Sequence, residues 1–211
     1  MTIKLRTSDI IIVCGRIETG KTTLLRHLTR HIRRRIYWDF NHEHSLRGYV
    51  VHYVNQIREN FLERGLSVVF QPLRKRDEDF LEFIEEVSTY NNVTLILEEL
   101  ERYARGGKRS FLPAPLEDII DTGSHHKGQG LFVTCRRIGD LHRKVFFNAH
   151  HIFALEQHRP QDIKYLADTL GTKAYMLHSE SAEKHGLEPL PPYYFLHYDH
   201  KTTHVRKKVS P

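Results

Sequence analysis

Residues 10–23 read IIIVCGRIETGKTT, and their reading decides the fold. Four successive β-branched residues, Ile10, Ile11, Ile12 and Val13, predict a strand buried on both faces. The run ends at Gly15. From there Gly15-Arg16-Ile17-Glu18-Thr19-Gly20-Lys21-Thr22 fits G-x-x-x-x-G-K-[ST], and Thr23 opens a helix-like stretch, TLLRHLTRHI. The two glycines let the backbone curl so that successive N–H groups point at phosphate oxygens. The helix beginning at Lys21 adds its positive end. Lys21 would reach the β and γ phosphates, and the Thr22 hydroxyl would ligate Mg²⁺. A chance match in a chain of this length is on the order of one in a hundred. Here the motif also sits between a strand and a helix, the context it requires. Residues 15–23 are therefore the predicted nucleotide-binding loop.

The 211 residues suit one α/β domain, and the 39% hydrophobic content is adequate for a core, which argues against global disorder. No apolar run approaches the roughly 20 residues that span a bilayer, and the start, MTIKLRTSD, lacks a signal-peptide h-region, so a cytoplasmic protein is expected. Cys14 and Cys135 lie in separate strand-like runs without metal-ligand spacing and read as reduced, buried thiols. A formal charge of +6, before counting 16 histidines, favours a polyanionic partner. The histidine pairs show no zinc-site spacing.

Along the chain, residues 36–39 (IYWD) form a short strand followed by FNHE, and residues 48–54 form another. A charged helix over 55–64, a strand over 67–71 and the basic Arg74-Lys75-Arg76 lead into a helix over 79–89. Residues 93–99, VTLILEE, are a buried strand ending in two acids. Residues 102–115, RYARGGKRSFLPAP, read as a loop, 116–122 as the start of a helix, and 123–130 as a turn. The strand LFVTC ends at Cys135, before Arg136-Arg137. A strand over 152–155, a helix over 161–170 and a hairpin over about 191–206 complete the chain. Alternating strands and helices imply a mainly parallel sheet flanked by helices, with ligands at the carboxyl ends of the strands. Gly15, Asp39, Glu98, Glu99 and Cys135 all fall at such ends.

A phosphate loop needs a carboxylate from another strand to hold Mg²⁺ and a second to orient or deprotonate water. Glu98 and Glu99 supply the pair, Glu98 toward the metal and Glu99 toward water, with Asp39 as the alternative metal ligand. Thr134 and Cys135 stand where a polar side chain can sense the γ-phosphate. Arg136, Arg137, Arg102, Arg105 and Arg109 are all open as the arginine that neutralises transition-state charge. The loop arginines and lysine, Arg105, Lys108 and Arg109, suit sequence-independent contact with a DNA backbone. The run Arg30–Arg35 reads as a solvated face complementing the helix dipole.

Taken together, these stretches resemble the FtsK–HerA superfamily of P-loop ATPases over most of the chain. IYWDFNHEH resembles its second strand, SVVFQPLRKRDEDFLEFI its third strand and helix, and TLILEE its Walker B. GSHHKGQGLFVTCRR is similar to its turn, strand and sensor, HHIFALEQHRPQDIKYL to its next strand and helix, and YYFLHYDHKTTHVRK to its terminal hairpin. Glu98 departs from the family's usual Asp, Cys135 from a common Gln, and His125-His126 from an Arg before the Gly-rich strand entry. The resemblance implies a RecA/FtsK–HerA-like fold, ATP and Mg²⁺ as cofactors, and a homo-oligomeric ring, hexameric in expectation, around double-stranded DNA. A bare, basic motor domain is similar to the genome-packaging ATPases of tailless, membrane-containing viruses. That implies capsid or inner-membrane portal partners and a place in the host cytoplasm or at the virion's packaging vertex. The alternatives are a cellular or conjugative translocase, a P-loop kinase with RYARGGKRS as its lid, and a nucleotide-gated binding module.

Overall fold

The computed structural model describes residues 3–42, 47–74, 76–192 and 194–207. Glu43, His44, Lys75 and Tyr193, each within a stretch read above, lie outside the described residues, as does the side chain of Arg109. In chain order the elements are β1 (Ile10–Cys14), α1 (Lys21–Thr29), β2 (Arg35–Trp38), β3 (Tyr49–Val51), α2 (Asn55–Arg58), β4 (Val68–Phe70), α3 (Asp77–Ser88) and β5 (Thr94–Leu97). Then come α4 (Ala114–Asp118), β6 (Gly130–Cys135), α5 (Arg143–Phe147), β7 (His151–Ala154), α6 (Pro160–Leu170), α7 (Ser179–Lys184), β8 (Tyr194–Tyr198) and β9 (Thr203–Lys207). No helix among the described residues is long and apolar enough to cross a membrane.

The strands lie in the order β3-β4-β2-β5-β6-β1-β7-β8-β9. The first seven run parallel, and β8 and β9 close the sheet as an antiparallel hairpin. Strand β6 therefore separates β1 from β5. Its register, Cys14 beside Cys135 and Leu97 beside Val133, brings the ends of all three strands to one edge.

Alternation divides each strand between two cores. Ile10, Ile12, Leu95, Leu97, Leu131 and Val133 face the side packed by Ile57 of α2, Phe83 of α3, Leu116 of α4 and Ile163 of α6. Ile11, Val13, Ile96 and Phe132 face Leu24 and Leu25 of α1, with Ile3, Leu5, Leu28 and Ile32 half-covered at its margin. Trp38 anchors the first core. Its ring lies 5.0–5.5 Å from those of Phe70, Phe80, Phe83 and Tyr103, where tilted and edge-on contacts add to burial.

Two expectations need correction. Residues 123–130 are no turn until their end: a π-helical stretch, Ile119–Lys127, continues α4 and stops at Gly128, whose φ is 63°. Gln129 overrides the local glycine signal by tying this segment to α3, its Nε2 donating to the Ser88 and Tyr90 carbonyls at 3.0 and 2.7 Å. Arg35, predicted solvated, is buried in β2. It donates to the carbonyls of Thr29, Ile32 and Arg47 at 2.7, 3.1 and 2.8 Å. Its charge thus serves the helix end, as expected, but from the interior.

Candidate active site

The loop between β1 and α1 is pinned at its entry. The Gly15 N–H donates to the Cys135 carbonyl at 3.3 Å, and that of Arg16 donates to the Glu156 carbonyl at 3.0 Å. A Cβ on Gly15 would stand 2.9 Å from both the Leu155 Cβ and the Thr19 Oγ1, so the turn has no room for a side chain. Gly20 takes φ 85° and ψ 30°, a left-handed conformation that suits glycine, and it caps α1 with no side-chain acceptor. The first intrahelical bond comes from the Leu24 N–H to the Gly20 carbonyl at 3.0 Å. The N–H groups of Lys21, Thr22 and Thr23 therefore stand ahead of it at the positive end of the helix, an arrangement suited to phosphate. Ile17 is exposed on the loop and Glu18 has a positive φ of 64°. The Lys21 ammonium crosses back to the Arg16 carbonyl at 2.8 Å. Burial pulls its pKa below the usual lysine value, although Cys135, Glu101 and Glu99 oppose the shift.

Across the edge, β5 delivers the acids. Glu98 and Glu99 are both buried. By alternation from Ile96, Glu98 follows on the α1 side of the sheet. Glu99 occupies the left-handed region, φ 50° and ψ 45°, an uncommon backbone for a non-glycine residue. The Thr134 Oγ1 holds it there by accepting the Glu99 N–H at 3.1 Å. Both carboxylate oxygens are engaged. Oε2 accepts from Arg102 Nε at 2.5 Å, while Oε1 accepts from the Arg136 guanidinium and from Asn41 Nδ2 at 3.5 Å. Burial pushes the Glu99 pKa up, but the Arg102 and Arg136 charges outweigh it and hold it below the usual glutamate value.

The structure brings Lys21, Glu99, Cys135 and Arg136 together, with Glu98 at the same strand end. Cys135 is fully buried in register with Cys14, and the Cys14 sulfur together with burial holds its thiol well above the usual pKa. Arg137 turns elsewhere, to Asp140 at 2.8 Å and Asp162 at 3.4 Å. Arg105 pairs with Asp77 at 2.6 Å, and Lys108 lies exposed in a short 3₁₀ turn, Gly107–Arg109. Asp39 is buried and accepts from Gln71 Nε2 at 2.7 Å.

Sequence reasoning missed two participants. Glu101 accepts the Arg136 backbone N–H at 2.8 Å, and burial raises its pKa. No signal in LEELER separates it from a solvent-facing acid. Asn41 follows β2 and reaches Glu99 only because β2 and β5 are neighbours. A cleft of about 470 Å³ also opens beside the phosphate loop, bordered by Arg16, Thr19, Glu156, His178, Leu190 and Tyr194.

For Mg²⁺, the Thr22 hydroxyl at the start of α1 and the Glu98 carboxylate at the end of β5 are oxygen groups of the right chemistry. These hard oxygens fit an ion that completes its shell with water and phosphate oxygens.

Fold and loop together define an α/β protein of the P-loop class, with one strand between the loop strand and the acid strand. No protein-family model and no curated protein matches the chain. Solved structures do. The genome packaging NTPase B204 of Sulfolobus turreted icosahedral virus 2, in complex with sulfate, is similar with a TM-score of 0.75 at 21% identity, over 98% of this chain and 99% of that one. Its complex with ATP-gammaS gives 0.74 at 20% identity, over 98% and 100%. EccC (ATPases 2 and 3) of Thermomonospora curvata gives 0.60 at 11% identity, over 99% of this chain and 38% of that one. The chain thus shares the α/β fold of these structures, with a mainly parallel sheet and a C-terminal hairpin.

Proposed function

We propose that this chain is the ATPase of a viral genome-packaging motor, hydrolysing ATP to drive double-stranded DNA into a preformed capsid. One observation carries the reading: a phosphate loop and a buried acid share an edge of a fold matched over nearly its whole length by the packaging NTPase B204.

In this reading the first-turn N–H groups of α1 and the Lys21 ammonium hold the β and γ phosphates, and the adjacent cleft takes the base and sugar. Thr22 and Glu98 would hold Mg²⁺, which neutralises charge on the phosphate oxygens when bound. Glu99 orients the attacking water and accepts its proton. Arg136 offsets charge on the γ-phosphate. Thr134 fixes Glu99 through its backbone, and Cys135 packs behind the site. Arg105, Lys108 and Arg109 face the DNA backbone without reading bases. Residues 1–211 act as one motor domain in a homo-oligomeric ring, a hexamer in this proposal, with an arginine supplied across the subunit boundary. The ring works at the packaging vertex, against capsid or inner-membrane portal components, after synthesis in the host cytoplasm.

The kinase alternative needs a mobile lid over residues 102–110. Instead the Arg105 N–H donates to the Phe111 carbonyl and the Gly106 N–H to the Asp140 carbonyl, each at 2.8 Å, pinning the segment. Phosphate release with and without double-stranded DNA tests the reading, with Lys21→Ala and Glu99→Gln as controls. DNA-stimulated release that both substitutions abolish supports a motor. Transfer of phosphate to a nucleoside without a DNA effect would sink it. Association with purified procapsids separates packaging from conjugative transport.

A further inference from the structure

We propose that Arg102 cages the base Glu99, and that a DNA backbone phosphate opens the cage by drawing Arg102 away. The proposal rests on the DNA-motor reading above.

The Glu99 side chain is 8% exposed, whereas Arg102 and Arg136 are 44% and 39% exposed. A buried acid is thus held by two cations that solvent, and so a polyanion, can reach. Arg102 takes one carboxylate oxygen and Arg136 takes the other, shared with Asn41. Three donors occupy most of the roughly four acceptor positions of the carboxylate, which leaves little room for a water that would donate to it. The groups facing it come from every neighbouring element: Asn41 after β2, Arg102 in the turn after β5, Thr134 and Arg136 at the end of β6, and Lys21 and Glu101 within electrostatic reach.

The two cations answer to different ligands. Arg136 shares the electrostatic neighbourhood of Lys21, so a γ-phosphate on the loop competes with Glu99 for it. Arg102 belongs to the 3₁₀ turn Leu100–Arg102, which runs directly into the basic loop. Its guanidinium lies over the Phe40 ring at 4.5 Å, and its carbonyl accepts from Arg105 Nε at 2.6 Å. Phosphate offers guanidinium two-point hydrogen bonding at least as good as a carboxylate does. DNA on the basic loop can therefore recruit Arg102 while nucleotide recruits Arg136. Glu99 is freed only when both are bound. Arg102 is in this sense a positioning residue, acting on water only through Glu99.

Phosphate release by wild type, Arg102→Ala and Arg102→Lys, with and without double-stranded DNA, tests this. Binding of a fluorescent ATP analogue reports that each variant is folded. The cage predicts that Arg102→Ala raises DNA-independent turnover several-fold and that added DNA then accelerates it little. Arg102→Lys falls between, keeping the charge but losing the planar Nε donor. Basal turnover at or below wild type, with DNA stimulation intact, overturns the cage and leaves the motor reading standing. A wild type indifferent to DNA beside a fast Arg102→Ala keeps the cage but removes DNA as its key, and the motor reading with it.

Discussion

Residues 15–23 and residues 98–102 meet at one sheet edge, yet they are held in different ways. The phosphate loop is shaped by its own backbone: Gly15 leaves no space for a Cβ, Gly20 sits left-handed, and the first turn of α1 is capped by no side chain. The acid corner is shaped by distant side chains as well as by the nearby Arg102. Thr134 fixes the Glu99 backbone from 35 residues away, and Arg136 reaches its carboxylate from 37. A phosphate site needs only aligned N–H groups, which local geometry supplies. A general base needs a tuned and movable carboxylate, which only neighbours in space can provide.

The sharpest way to break this comparison is Glu99→Gln. It should lower phosphate release by about 10²–10⁴-fold while nucleotide binding by fluorescence titration stays near wild type. Lys21→Ala should cost about 10²–10³-fold in release and weaken nucleotide binding as well, because the loop half acts on both. If Glu99→Gln instead weakens binding as much as Lys21→Ala does, the division of labour between the halves is wrong.

Stability separates them next. Thr134→Val leaves the buried Glu99 N–H without its acceptor and should destabilise the fold by about 1–3 kcal/mol in urea unfolding. Thr134→Ser should restore most of it. Gly20→Ala forces a side chain into a left-handed backbone and should cost about 1–2 kcal/mol. The smallest effect is on pH. The folded pKa of Glu99 lies below the usual glutamate value, so its ion pairs stabilise the fold above that value and are lost as pH falls through the folded one. Wild-type stability should therefore decline on acidification more than that of Glu99→Gln, as measured by thermal unfolding across pH 3–7.

Much of the fold was legible in the chain. The buried strands β1, β5 and β6 announce themselves by uninterrupted apolar runs, and helices α3 and α6 by their spacing. The π-helical continuation past Gly123 and the burial of Arg35 were not legible. Both depend on partners that sequence does not bring near, Gln129 against α3 in one case and three carbonyls in the other.

By itself, GRIETGKT determined a phosphate loop, because the conformations it demands are properties of glycine and of a helix start. The order of residues likewise determined that Glu98 and Glu99 end a buried strand. Only the tertiary structure decided that β6 lies between β1 and β5, and therefore that Thr134 and Arg136 both close on Glu99. The reason is physical: backbone preference acts within a few residues, whereas the charge and pKa of a buried carboxylate are set by whatever packs within a few ångströms of it.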